Sequence, residues 1–209
     1  MRLNRIEFGL MNNAVRAASQ RWIEASVLLR AAELRPGARV LEVGCGRGVG
    51  LEILDARFPG GFKVGFDLDP AMVKLARERV DGAGLTAGVS VADAERLPFE
   101  DGAFDAVVEF AILHHVPGWR GALREIARVL RPGGSFWFED LTSTFSESRL
   151  ASLVLDHPRG LAIHADSFGE GLRAAGLVVE SLRPVTPLGF FGHARRPGGP
   201  ASDQASQPS

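Results

Sequence analysis

The chain has 209 residues, which suits one α/β domain with a substantial core and requires no second domain. Hydrophobic residues make up 45% and charged residues 23%, as in an ordinary globular protein, and a formal net charge of -1 supplies no field to hold a polyanion, which argues against nucleic acid as a substrate. Cys45 is the only cysteine, so there is no disulfide framework and no thiolate metal cluster; with no apolar run of signal length and no membrane-spanning stretch, a cytoplasmic protein is expected.

Residues 12–34 place Val15, Ala18, Trp22, Ala25, Leu29 and Ala32 at the three-and-four spacing of one helix face, with Asn12 or Asn13 to cap it and Pro36-Gly37 to end it. Val40, Leu41 and Val43 then form the apolar run of a parallel strand covered on both faces. Glu42 is a charge near its carboxyl end, where open α/β sheets bind ligands. Glycines at 44, 46, 48 and 50 let the chain turn sharply and approach a ligand, with the next helix's N-terminal amides facing the same crevice. The dinucleotide fingerprint G-x-G-x-x-G does not fit: begun at Gly44 it reaches Val49, and begun at Gly46 it reaches Leu51. A nicotinamide enzyme is therefore disfavoured, and a glycine turn that serves only packing is the plainer alternative.

Leu51, Ile53, Leu54 and Phe58 mark a helix closed by Pro59-Gly60-Gly61, and residues 63–67 a second strand ending in an acid. Asp67 follows Gly46 by 21 positions, where a ribose-binding carboxylate is expected, since one carboxylate accepts from both ribose hydroxyls. An N-cap is its alternative role, but Asp69 before Pro70 is better placed for that. A helix over 70–81 leads to a strand at 87–91 and the loop Asp93-Ala94-Glu95-Arg96-Leu97-Pro98-Phe99. Residues 104–110, with Glu109 near the end, read as another buried strand running into Leu113-His114-His115. A helix over 119–130 stops at Arg131-Pro132-Gly133-Gly134 before a strand at 135–139. A helix near 167–175 and strands near 177–183 and 188–195 complete the pattern, and the Pro/Gly/Ser/Gln-rich segment 197–209 is expected to be disordered.

The spacing E-x-G-x-G-x-G from Glu42 to Gly48, the acids at Asp67 and Asp93, and Arg128-Val129-Leu130-Arg131-Pro132-Gly133-Gly134 resemble the class I S-adenosylmethionine-dependent methyltransferases. The nearest likeness is to the menaquinone/ubiquinone-type small-molecule group, methyltransferase type 11. The resemblance implies an α/β, doubly wound, mostly parallel seven-stranded sheet of Rossmann-like methyltransferase type, with an antiparallel C-terminal hairpin. It implies S-adenosyl-L-methionine as cofactor, its methionine part cradled by Gly44, Cys45, Gly46 and Gly48 and its amino end held by Glu42. Asp67 and Leu68 would meet the ribose side. Asp93 would accept from the adenine amino group, the Ala94 amide would donate to a ring nitrogen, and Glu109 would stand at the strand end facing the methyl. Asp93 as a plain loop acid stays open. The helix at 12–34 has two roles open, a lid over the cofactor or a support on the sheet edge, and 141–165 corresponds to the family's variable acceptor cap.

What stands after the fourth strand limits the reaction. There is no Asn/Asp-Pro-Pro-aromatic tetrapeptide of the DNA and protein amino methyltransferases, the chain has no tyrosine, and Cys45 lies in the cofactor loop, so a small-molecule acceptor is expected. His114 and His115 are the candidate bases for an acceptor that must lose a proton; packing against the next helix is their alternative. No Asp/Glu/His cluster has metal spacing. An acceptor pocket is expected between Trp22, the two histidines and 141–165. A cofactor-binding subunit without activity is the principal alternative.

Overall fold

The computed structural model describes residues 28–29, 32–142, 163–185 and 189–198. Trp22 and most of the expected N-terminal helix, residues 143–162 of the expected cap, and 199–209 of the expected tail lie outside them.

Seven strands form one sheet: β1 (Val40–Val43), β2 (Lys63–Asp67), β3 (Ala87–Val91), β4 (Phe104–Phe110), β5 (Leu130–Leu141), β6 (Val178–Val185) and β7 (Gly189–Arg195). Their order is β3-β2-β1-β4-β5-β7-β6, parallel from β3 through β5 and antiparallel where β7 joins β5 and β6. From residue 32 onward the described residues add four α-helices and a 3₁₀ turn: α1 (Val49–Arg57), α2 (Pro70–Ala83), the 3₁₀ turn at Leu113–His115, α3 (Trp119–Val129) and α4 (Ala165–Ala174). Strand period two splits the core. Leu41, Val43, Val107, Phe136 and Phe138 face α3 and α4, while Val40, Ala106, Val108 and Trp137 face α1 and the Leu28-Leu29 segment. In α3, Trp119, Ala122, Leu123 and Ile126 recur at the spacing of one helix face and are all buried there.

Two boundaries differ from the expectation. Leu28 is helical, but residues 32–35 have no regular structure, so the N-terminal helix does not reach 34; Pro36 disfavours helical geometry in the residue before it. The stop at 131–134 is not a free turn but part of β5, because Gly133 N donates to Arg196 O at 3.0 Å and Arg196 N to Gly134 O at 2.9 Å. Asp69 caps α2 by accepting from Ala71 N at 2.9 Å, with Pro70 at the first helical position.

The two ends of the sheet treat buried charge differently. At the amino ends, Lys63 donates to Phe58 O (2.5 Å) and Gly61 O (2.9 Å) and pairs with Asp55. Asp105 accepts from Arg35, Arg39 N and Arg131. At the carboxyl ends, Glu42, Glu109 and Asp140 are 1%, 0% and 2% exposed, and each keeps one carboxyl oxygen without a hydrogen-bond partner. Buried polar atoms are ordinarily satisfied, so three orphans on one sheet edge mark a place built for something else.

Candidate active site

The chain order reverses between β1 and β4, and their carboxyl ends lie side by side, Val43 opposite Glu109. The loops leaving them diverge around a crevice, the position where open sheets bind ligands. Ile112, after β4, packs directly on the α-carbon of Gly44, whose φ of +64° and lack of a β-carbon make the contact possible. Ala111, in the turn between, is left-handed at φ +53°, the one non-glycine residue so placed among the described residues. Such strain persists only where the surroundings impose it; here Ala111 N is held by Glu139 O at 2.9 Å.

The glycines have distinct tasks. A β-carbon on Gly50 would strike the Glu42 carboxyl, so Gly50 is what lets this side chain lie against the first turn of α1. Gly48, at φ +82°, would bring one to 3.2 Å from the Ala76 α-carbon; its role is the approach of α1 to α2. Gly46, at φ +50°, has nothing within 4 Å of that position and faces open space. Cys45 turns its thiol into the apolar cluster of Leu51, Ala76 and Val80, leaving only its backbone for a ligand.

Asp67, at the end of β2, pins this loop: Oδ2 accepts from Gly46 N at 2.9 Å and Oδ1 from Asp69 N at 2.9 Å. The first of these bonds was not foreseen from the sequence. Each oxygen retains capacity for a second donor. Ala92 N donates to Asp67 O at 3.1 Å, which ties the loop after β3 to that after β2 and brings Asp93 and Ala94 beside the same crevice. Asp93 is exposed and its Oδ1 accepts from Glu95 N at 2.9 Å, so it serves its own turn and has a second oxygen besides. Leu68 is 49% exposed, unusual for leucine, next to Asp67. The loop is braced from α3: Leu97 N donates to Glu125 (2.8 Å), Gly118 N to Glu95 (3.0 Å), and Arg128 donates to Leu97 O and Phe99 O.

Burial raises the Glu42 carboxyl well above the usual carboxylate range, and the charge of Asp67 adds to the effect. Burial likewise raises Asp67, against the opposing bonds from Asp69 N and Gly46 N. Glu109 is raised well above its ordinary value by burial and then by the charge of Asp140. Its Oε1 accepts from Ile112 N at 3.2 Å.

On the other side of the crevice His114, 6% exposed, sets Nδ1 against Asp140 Oδ1, which also accepts from Leu141 N at 2.8 Å. The His115 ring lies 4.0 Å from that of His114, centroid to centroid, and is half-buried. Asp140 is the residue that sequence reasoning missed. Its signal was faint, an acid ending a strand that faces the histidines across the sheet.

S-adenosylmethionine fits these residues: the orphaned Glu42 oxygen suits a cationic amino end, and the open backbone at Gly46 is a cradle that a side chain would fill. No group of three or more His, Cys, Asp or Glu that could hold a metal occurs among the described residues, nor does a helix long and apolar enough to cross a membrane.

Residues 41–138 match the family described as methyltransferase domain. The chain is 42% identical over 107 residues to the phthiotriol/phenolphthiotriol dimycocerosates methyltransferase of Mycobacterium tuberculosis, covering 50% of this chain and 38% of that protein. It is 38% identical over 122 residues to the fatty-acid O-methyltransferase of Mycolicibacterium smegmatis, covering 58% of this chain and 44% of that one. The chain thus matches less than half the length of these relatives. The crystal structure of a SAM-dependent methyltransferase from Aquifex aeolicus superposes with a TM-score of 0.75 at 21% identity, over 93% of this chain and 100% of that one, a likeness of fold. With the glycine loop, the β1/β4 crevice and the seven-stranded order already in place, these matches identify residues 41–138 as a methyltransferase domain, carried on the fold of the S-adenosylmethionine-dependent methyltransferases.

Proposed function

We propose that the chain transfers the methyl group of S-adenosylmethionine to a small-molecule acceptor in the cytoplasm. The observation that carries this reading is the pairing of a buried, unpartnered Glu42 oxygen with the open Gly46 backbone at the point where strand order reverses. In this reading Glu42 takes the ammonium end of the cofactor. The backbone of Gly44, Cys45 and Gly46 follows its methionine part, while Gly48 supports that loop from behind. Asp67 takes the ribose hydroxyls, Leu68 covers the nucleoside, and Asp93 with the Ala94 amide meets the adenine edge. Glu109 and His114 face the reacting end, with the His115 ring tilted against that of His114. Two relatives named for small-molecule acceptors, phthiotriol dimycocerosates and fatty acids, support the substrate class.

The bound cofactor supplies an already activated methyl group, so the protein's task is alignment and exclusion of water, which can be worth up to roughly 7–11 kcal/mol. Glu42 and Asp67 fix the two ends of the donor, and Ile112 on Gly44 closes the floor between them. A base is required only for an acceptor that carries a proton, and His114 is placed for that. The buried His114–Asp140 pair opposes the reading as an inactive subunit, because cofactor binding alone has no use for it.

Calorimetry with S-adenosylmethionine and with NAD tests the cofactor, and a metabolite screen with labelled methyl donor tests transfer. Binding of NAD in place of S-adenosylmethionine refutes the proposal.

A further inference from the structure

We propose that Arg79 is a positioning residue for the methionine half of the cofactor: its guanidinium holds the Arg47 carbonyl and so sets the backbone that Gly46 presents to the ligand. This rests on the methyltransferase reading above and adds to it a residue of α2 that no loop motif points to.

The glycine loop is pinned from two sides. Asp67 Oδ2 accepts from Gly46 N at 2.9 Å, and Arg79 Nε donates to Arg47 O at 2.9 Å. Only the peptide joining Gly46 to Arg47 lies between these bonds, so its orientation is fixed at both ends. Gly46, at φ +50° with open space where a β-carbon would stand, is the stretch of backbone that a ligand can approach. Gly48 rests on Ala76, and Ala76 lies three positions before Arg79, on the same face of α2. That face therefore backs the loop twice, by packing at Gly48 and by a hydrogen bond at Arg47.

The guanidinium is itself held in place. Arg79 Nη1 donates to both carboxylate oxygens of Glu52, at 3.1 and 3.2 Å, in the first turn of α1, and both side chains are partly buried. A planar fork serves a carbonyl and a carboxylate at once from two nitrogens at a fixed angle, which a lysine ammonium on its flexible stem does not. The arrangement carries a charge penalty. Burial, and after it the charge of Arg79, lower the Arg47 guanidinium from its ordinary value, with Glu52 opposing. Two cations thus stand close around one acid, and what this contact provides is a fixed loop carbonyl.

The benefit lies in preorganisation. A run of alternating glycines loses more freedom on ordering than other backbone, and a loop already ordered spares the ligand that loss. Removing Arg79 should therefore weaken the cofactor only through the part that Gly46 touches. Asp67 differs, because it also meets the ribose.

The test is calorimetry on the full chain with S-adenosylhomocysteine and with 5′-methylthioadenosine, the same nucleoside ending at sulfur without the amino-acid end. Arg79→Ala is expected to weaken the first about tenfold and the second by no more than about twofold. Arg79→Lys keeps the charge and is expected to match Arg79→Ala; it replaces that variant if the alanine chain loses its cooperative melt. Where the truncated nucleoside is too weak to titrate in the wild type, amide exchange in the ligand-free chain decides. The Gly46 and Gly48 amides should exchange about tenfold faster in the variant, while those of Val64 and Val107 in the sheet stay unchanged. Equal losses for both ligands, full affinity for S-adenosylhomocysteine in Arg79→Lys, or unchanged exchange at Gly46 overturns the positioning role. A wild type that binds neither S-adenosylmethionine nor S-adenosylhomocysteine refutes the methyltransferase reading instead, and the exchange rates still judge the pin.

Discussion

Replacing Glu42 by Gln keeps the side chain's shape and removes its charge, and the structure says what each pH should reveal. The carboxyl is 1% exposed with one oxygen unpartnered, and burial holds its folded pKa well above the unfolded one. A carboxyl raised on folding keeps its proton in the native state while the unfolded chain loses it. Its contribution is therefore most favourable below the unfolded value and is lost as pH rises from there towards the folded value, at about 1.4 kcal/mol per pH unit. The ligand-free wild type should lose stability relative to Glu42→Gln from about pH 4.5 upward, as read by thermal melts. Cofactor binding should reverse the ranking. The ammonium stabilises the ionised carboxylate, so binding near neutrality should expel up to one proton, visible as a binding enthalpy that depends on the buffer. Losing the charged contact should weaken S-adenosylmethionine by about 1.5–3 kcal/mol, roughly tenfold to a hundredfold. Unchanged affinity in Glu42→Gln, or the same proton release with and without the carboxyl, would refute the assignment of Glu42 to the ammonium end.

The glycine loop offers a contrast: Gly46→Val should abolish S-adenosylmethionine binding by calorimetry and lower the melting temperature only through its left-handed φ of +50°, since its β-carbon enters open space, whereas Gly48→Ala adds contact with Ala76 to the same kind of backbone strain and should cost about 1–3 kcal/mol of stability. Asp67→Ala should weaken S-adenosylhomocysteine more than its 2′,3′-dideoxy analogue, yet weaken the analogue too, because the bond to Gly46 N is lost with the ribose contacts; identical losses would leave Asp67 a loop pin only. Ala111→Gly should relieve a left-handed alanine and raise stability by about 1 kcal/mol, some 2–4 °C in a chain of this size. An unchanged melting temperature would place the strain elsewhere.

Much of the site was legible because it depends on local chain chemistry. A buried strand interrupted by Glu42, followed by alternating glycines, and a second strand ending in Asp67 are patterns in consecutive residues, so Glu42, Gly46 and Asp67 are candidates on the sequence alone. Capping of α2 by Asp69 and the apolar face of α3 were readable for the same reason, since both rest on contacts within one turn. What differs among the glycines was not readable. Gly48 packs on Ala76, Gly50 clears Glu42 and Gly46 faces open space, and no spacing rule separates packing from cradle when the partner comes from another element.

The sequence by itself determined which residues form strands and helices and which charges interrupt apolar runs, because period, caps and turn residues act over a few positions. Only the tertiary structure decided what those charges meet. Asp140 and His114 are 26 residues apart and come together because β5 pairs with β4, and Asp67 reaches Gly46 because β2 pairs with β1. Only the assembled sheet shows that Lys63 and Asp105 at one edge are fully partnered while Glu42, Glu109 and Asp140 at the other are not. Burial without a partner is a property of the whole enclosure, produced when several distant segments exclude water together, and no stretch of sequence carries it alone.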